Sequence, residues 1–138
     1  MAPWLCRNCG RRFGRTNQSH ECRPGLTLRE YLGRQPPERR ATYRAVLREL
    51  EKLGPLDIDP VEVGIMIKRA RTFCELHPRR NAVELSFKLS RPLADPRIHR
   101  TIRSSTHRHV HFVHLKSAAD VDRQLVSWLA EAYLDSLE

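Results

Sequence analysis

Long apolar runs are missing from this sequence. Nowhere in its 138 residues is there a stretch approaching the ~18 apolar residues that a membrane-spanning helix needs, so no membrane partner is expected. The opening Met-Ala-Pro-Trp-Leu-Cys has neither a basic region nor an apolar one of the kind a secretory leader carries. A cytoplasmic location, where thiols stay reduced, is therefore the expectation. Also missing are an internal repeat, a nucleophile elbow, a Walker loop, a dinucleotide fingerprint and any close pair of acids. Asp57 and Asp59 flank Ile58 in a loop-like stretch, too little for acid–base chemistry. The enzyme classes that depend on those constellations are excluded, and a non-enzymatic role is the more natural expectation. Lysine is scarce: Lys52, Lys68, Lys88 and Lys116 stand among 25 basic residues, and the rest are arginines.

Those 25 bases face 16 acids, for a formal net charge of +9. Arginine suits phosphate and carboxylate because its planar fork donates two parallel hydrogen bonds. A basic chain attracts polyanions, nucleic acid first among them and anionic surfaces second, although a merely solvated excess of charge is the plainer alternative. Hydrophobic residues make up 40%, enough for one compact core. The length suits one domain plus a small appendage, and composition divides the chain into 1–24 and 25–138.

Residues 1–24 are rich in Cys, Arg, Asn, Gln and Gly, with little apolar periodicity, and Arg23-Pro24-Gly25 reads as a linker. Thr27-Leu28-Arg29-Glu30 matches a capping box and starts a short helix that Gly33 ends. Pro36-Pro37 opens a longer helix whose apolar stripe is Tyr43, Val46, Leu47, Leu50 and Leu53, and Gly54-Pro55 stops it. The period then changes. Val61, Val63, Ile65 and Ile67 alternate as in one strand, Thr72 to His77 reads as a second, and Val83, Leu85, Phe87 and Leu89 mark a third. His77 to Asn81 is the expected turn between the last two. Residues 91–106 look irregular and basic, His109 to Leu115 is a fourth strand, and Ser117-Ala118-Ala119-Asp120 resembles a capping box before a closing helix. Val121, Leu125, Trp128, Leu129, Ala132 and Tyr133 form the apolar face of that helix. The expected fold is α+β: a small antiparallel sheet of about four strands covered by helices, preceded by a zinc-knuckle module. The sheet's other face would carry Arg69, Arg71, Glu75, Glu84, Lys88 and several histidines.

The knuckle is Cys6-Arg7-Asn8-Cys9-Gly10, whose spacing lets two thiolates meet one ion while the backbone turns tightly. Ten residues on, His20-Glu21-Cys22 supplies a nitrogen and a third sulfur. Cys6, Cys9, His20 and Cys22 fill a tetrahedral zinc shell with no place for water, the structural pattern, so one structural Zn2+ is the cofactor expected. Free thiols on a flexible tail are one alternative; Cys74 in place of His20 is another, although Cys74 reads most simply as a small core hydrophobe. Around the metal lie Arg7, Arg11, Arg12, Arg15, Asn17, Gln18 and Arg23, with Trp4 and Phe13 nearby. Basic forks and amides beside aromatics suit phosphate and base contacts, which makes these seven the candidate nucleic-acid residues. Offsetting the negative zinc–thiolate centre is their plainer role, and a protein partner is also open.

His107, His109 and His111 are spaced by two and would share one strand face, as a possible ligand site, a metal site or an ordinary wet surface. His99 and His114 stand alone and read as structural.

Cys6-x-x-Cys9-x-x-x-Phe13 resembles the opening of a Cys2His2 zinc finger, over fewer than ten residues. It departs in a shorter Cys9–His20 loop and in His-x-Cys in place of the wider ligand pair, so a recognition helix is not expected. From Thr27 onward the chain resembles the bacterial domain-of-unknown-function family 5655. The resemblance rests on Thr27-Leu28-Arg29-Glu30-Tyr31-Leu32, Pro36-Pro37-Glu38, Leu53-Gly54-Pro55, Arg71 to Pro78, and the Ser117 to Tyr133 segment ending in Leu129 and Ala132-Tyr133. It implies a compact α+β domain, found alone or fused to other modules, some of them nucleic-acid or defence related, and brings no catalytic residue. Where the family suggests a glycine-rich His-Gly turn, this chain has Ser104-Ser105-Thr106-His107-Arg108-His109.

Overall fold

The computed structural model describes residues 3–20, 22 and 26–138. Near the amino terminus β1 (Trp4–Leu5) pairs antiparallel with β2 (Arg12–Phe13), Trp4 opposite Phe13. The expected linker, Arg23 to Gly25, lies outside the described residues. There follow α1 (Leu28–Gly33), α2 (Pro37–Glu51), β3 (Asp57–Val61), β4 (Gly64–Lys68), β5 (Thr72–Arg79), β6 (Ala82–Leu89), β7 (Arg100–Ser105), β8 (Arg108–Leu115), a 3-10 turn over Ala118–Asp120, and α3 (Arg123–Asp135). None of the described helices is long and apolar enough to cross a membrane.

The local signals act as their chemistry dictates. The Thr27 side chain accepts from the Glu30 amide and Glu30 reaches back to Thr27, so the first amides of α1 are satisfied reciprocally. At the other end Arg40 donates to the carbonyls of Leu32 and Gln35, closing α1 against the start of α2. The second capping box is displaced from its expected role. Ser117 and Asp120 cap the 3-10 turn, and Asp122, accepting from the Leu125 amide, caps α3 instead. Val121 therefore sits outside α3, partly buried against the core.

The main sheet has six strands in the order β3-β4-β5-β6-β8-β7, every neighbouring pair antiparallel. That corrects the expected four in two places. The alternating stretch from Val61 to Ile67 is two strands, because Glu62 and Val63 form a tight turn with Val63 exposed at the tip. Residues 100–105, expected to be irregular, form the outer strand β7. It buries no side chain, so no apolar alternation marks it.

The core lies on one face of the sheet. Ile65, Ile67, Leu76, Val83, Leu85, Phe87, Leu89, Val113 and Leu115 pack beneath Tyr43, Val46, Leu47 and Leu50 of α2 and Leu125, Trp128, Leu129, Ala132 and Tyr133 of α3. Cys74 belongs to this cluster, as a small hydrophobe does. A bulge in β5 opposite Ile67 and Lys68 leaves Phe73 unpaired. Phe73 and Cys74, adjacent in sequence, are thus both buried, with Phe73 edge-on to Tyr133. None of the described helices covers the opposite face. By the register it carries Glu75, His77, Glu84, Ser86, Lys88, Phe112 and His114.

Candidate metal centre

The amino-terminal hairpin is a turn built to present sulfur. The Cys6 amide donates to the Arg11 carbonyl at 2.9 Å and the Gly10 amide to the Cys6 carbonyl at 2.8 Å, which curls the backbone over Cys6–Cys9. Gly10 takes φ +74°, a region costly for side-chain-bearing residues, which explains glycine there. The donor atoms of Cys6, Cys9, His20 and Cys22 all lie within 4.8 Å of one another. Cys6 and Cys22 Sγ are 3.5 Å apart, and Cys9 Sγ is 3.4 Å from His20 Nε2. A disulfide needs about 2.05 Å, so these are free thiols. A tetrahedron with metal–sulfur bonds of about 2.3 Å would separate sulfurs by about 3.8 Å. The donor set and its spacing fit a metal ion with all four positions occupied by protein. Cys74, buried in the core, takes no part.

The surroundings hold the donors in place. His20 Nδ1 lies 2.6 Å from the Gln18 carbonyl. As the donor of that bond it leaves the Nε2 lone pair aimed at the thiolates, the arrangement metal-bound histidines use. Phe13 packs on the imidazole at 4.0 Å between centroids, with Trp4 at its edge, so the short hairpin has a small aromatic core of its own. The Cys9 amide holds the Cys6 thiol down at about 6, so thiolate is available near neutral pH. The Cys9 thiol is raised by burial, but hydrogen bonds from Arg11 outweigh this and its pKa is lowered. Asn8 Nδ2, 2.9 Å from Cys22 Sγ, favours the third thiolate, but the neighbouring Cys6 and Cys9 sulfurs and burial outweigh it and raise the Cys22 pKa.

The hairpin rests on the rest of the chain through Lys68. Its ammonium donates to the Arg12 carbonyl at 3.1 Å, lies 4.1 Å from the Phe13 ring centre and pairs with Asp59 at 3.0 Å. Between the hairpin and the β4–β5 turn runs a groove of about 710 Å³. Six cationic side chains line it: Arg11, Arg12, Arg15, Lys68, Arg69 and Arg71. Arg71 also donates to the carbonyls of Asp135 and Glu138. Gln18 lines the groove too. Arg7 and Asn17 are exposed but do not line it, and Asn17 makes a tight turn at φ +56°. Arg23 lies outside the described residues.

The three histidines spaced by two do not make a surface row. His111 is fully buried, stacked on Phe87 at 5.1 Å, with Nε2 2.9 Å from the Leu93 amide it accepts from. Burial lowers its pKa. His109 shares the helix-covered face with it, and His107 lies in the exposed turn between β7 and β8. The open face instead carries a cluster in which Glu84, expected on that face, meets His99 and His114, each expected to stand alone. Glu84 Oε2 lies 3.2 Å from His114 Nε2 and 3.4 Å from His99 Nε2, and the two imidazoles stack at 4.0 Å. Arg79 bonds the other carboxylate oxygen at 2.7 Å. Burial would raise the Glu84 carboxyl, but the Arg79 charge and the His114 hydrogen bond together keep its pKa lowered. One signal was available. Val113 and Leu115, plainly core residues, share parity with His109 and His111, and that leaves His114 on the opposite face.

The family model described as a domain of unknown function, DUF5655, matches residues 29–136. No curated protein matches the chain, and no solved structure does.

Proposed function

The chain belongs to the DUF5655 family of domains of unknown function, and from that premise we propose a zinc-containing, non-enzymatic binding protein that engages nucleic acid through its arginine-rich groove. Cys6, Cys9, His20 and Cys22 hold one structural zinc ion in this reading. The thiolate-rich, closed donor set favours zinc over oxygen-preferring ions. A segment as short as residues 1–24 buries too little to fold alone, and metal binding supplies ~10 kcal/mol or more toward its folding.

The observation that carries the nucleic-acid reading is the groove, where three arginines from the hairpin face Lys68 at the end of β4 and Arg69 and Arg71 of the β4–β5 turn. Phosphates spaced along a strand reward such a row, because each contact releases condensed counterions. Phe13 beside Arg11 and Arg12 adds an aromatic edge. Mobility-shift titration with mixed DNA and RNA across a salt series tests the reading. Retardation at low salt that weakens steeply with added salt is expected, and Arg12→Ala with Arg15→Ala should flatten the log–log slope by about 2. Absence of retardation at low salt overturns it.

One feature of the same groove favours a protein adapter as the second reading: Val61, Val63 and Met66 line it beside the cations, as an acidic partner with apolar anchors would require. Capture of one acidic protein from nuclease-treated lysate, lost when Val63 becomes Asp, would support that reading over the first.

A further inference from the structure

The open sheet face holds a second set of convergent donors, unrelated to the knuckle. We propose that Glu84, His99 and His114 form a binding site for a divalent transition-metal ion. The three residues come from three adjacent strands or their approaches. Glu84 is on β6, His114 is its register partner on β8, and His99 immediately precedes β7, its amide bonded to the Phe112 carbonyl on β8. Register therefore places the donors, not chance contact of loose side chains. All three donor atoms lie within 4.8 Å of one another. Cis ligands of an octahedron with bonds of about 2.1 Å stand about 3.0 Å apart, close to the 3.2 and 3.4 Å observed.

Burial and charge are arranged to match. Glu84 is almost wholly covered, whereas His99 and His114 are exposed, so the carboxylate forms a fixed floor and the imidazoles a wall open to solvent. Arg79 occupies Oε1 and leaves Oε2 directed at both rings. That is how a neighbouring group orients a ligating carboxylate. Entry of an ion requires the two exposed imidazoles to turn from one oxygen toward one ion. The rings already stack at 4.0 Å, and both Nε2 atoms lie within 3.4 Å of the same carboxylate oxygen. Two nitrogens and one oxygen select zinc, nickel, cobalt or iron(II) rather than calcium or magnesium, which prefer all-oxygen shells. Three protein ligands also leave positions for water, unlike the closed knuckle.

Isothermal titration of the full chain with Zn2+ tests the site, alongside Cys6→Ser, His99→Ala, His114→Ala and His107→Ala variants. One Zn2+ equivalent that survives Cys6→Ser, weakens at least about tenfold in His99→Ala and in His114→Ala, and is unchanged in His107→Ala is the expected result. Imidazole proton resonances of the two ligating histidines should shift with that equivalent. Thermal melting confirms that the variants fold, and both altered histidines are exposed. Failure to bind this equivalent, or its persistence in His99→Ala and His114→Ala, overturns the site whatever happens at the knuckle.

Discussion

Tyr31 and Tyr43 meet hydroxyl to hydroxyl at 2.7 Å inside the core, their rings edge to face at 87°. Each is the other's hydrogen-bond partner, and both are almost wholly buried. The pair locks the short helix α1 onto α2, and burial raises the pKa of both phenols, so both stay protonated.

Removing one hydroxyl strands the other. Tyr31→Phe should cost about 1–2 kcal/mol in urea denaturation, whereas Tyr31→Phe with Tyr43→Phe should cost less than the sum of the two single changes. Strict additivity would mean the hydroxyls do not act on each other.

The buried His111 ties stability to pH with a definite sign. Burial lowers its folded-state pKa below the ordinary 6.5, so below about 6.5 the unfolded chain binds a proton that the folded chain refuses. Its contribution is complete above the unfolded pKa and is lost as pH falls. In denaturation between pH 7.5 and 5.5, His111→Gln should lose less stability on acidification than the parent, because Gln retains an acceptor for the Leu93 amide without titrating. Equal slopes would contradict this. His77, whose pKa is raised by its bond to Glu75, pulls the opposite way in both proteins and cancels in the comparison.

Gly64 begins β4 where a methyl group would run into the Leu76 carbonyl and come within 2.9 Å of His77 Nδ1. The carbonyl is backbone paired in the sheet and cannot step aside. Gly64→Ala should therefore cost about 2 kcal/mol, read as a fall in the urea midpoint. A neutral substitution would mean that the hairpin is looser than its register implies.

Chelation should act locally. With a strong zinc chelator, amide exchange by mass spectrometry should rise in the 4–20 hairpin, while amides of β5, β6 and α3 keep their protection. Loss of protection throughout would show that the core depends on the knuckle.

The helices were legible because their termini announce themselves. Thr27 with Glu30, the Pro36-Pro37 start and the Tyr43 to Leu50 stripe are local signals, and tertiary structure agrees with them. The knuckle was legible because metal-ligand spacing is likewise local. Strands were harder, since alternation needs a buried side to contrast with a wet one. Val61 and Val63 continue the alternation of Ile65 and Ile67 although a turn falls between them, and β7 offers no contrast at all. The Glu84–His99–His114 cluster depends on strand order β6-β8-β7, which no window of sequence contains. The groove likewise unites the hairpin with a turn more than fifty residues later.

Both rims of the six-stranded sheet are inhospitable to an added strand. On one side β7 is exposed along its whole length and carries Arg100 and Arg103, with the Arg100 guanidinium lying over Phe112. On the other, β3 includes Pro60, which has no amide hydrogen to donate. A foreign chain zipping onto β7 would have to desolvate like charges and lift the guanidinium from its ring. The molecule is thereby protected against edge-to-edge polymerisation, even at high local concentration.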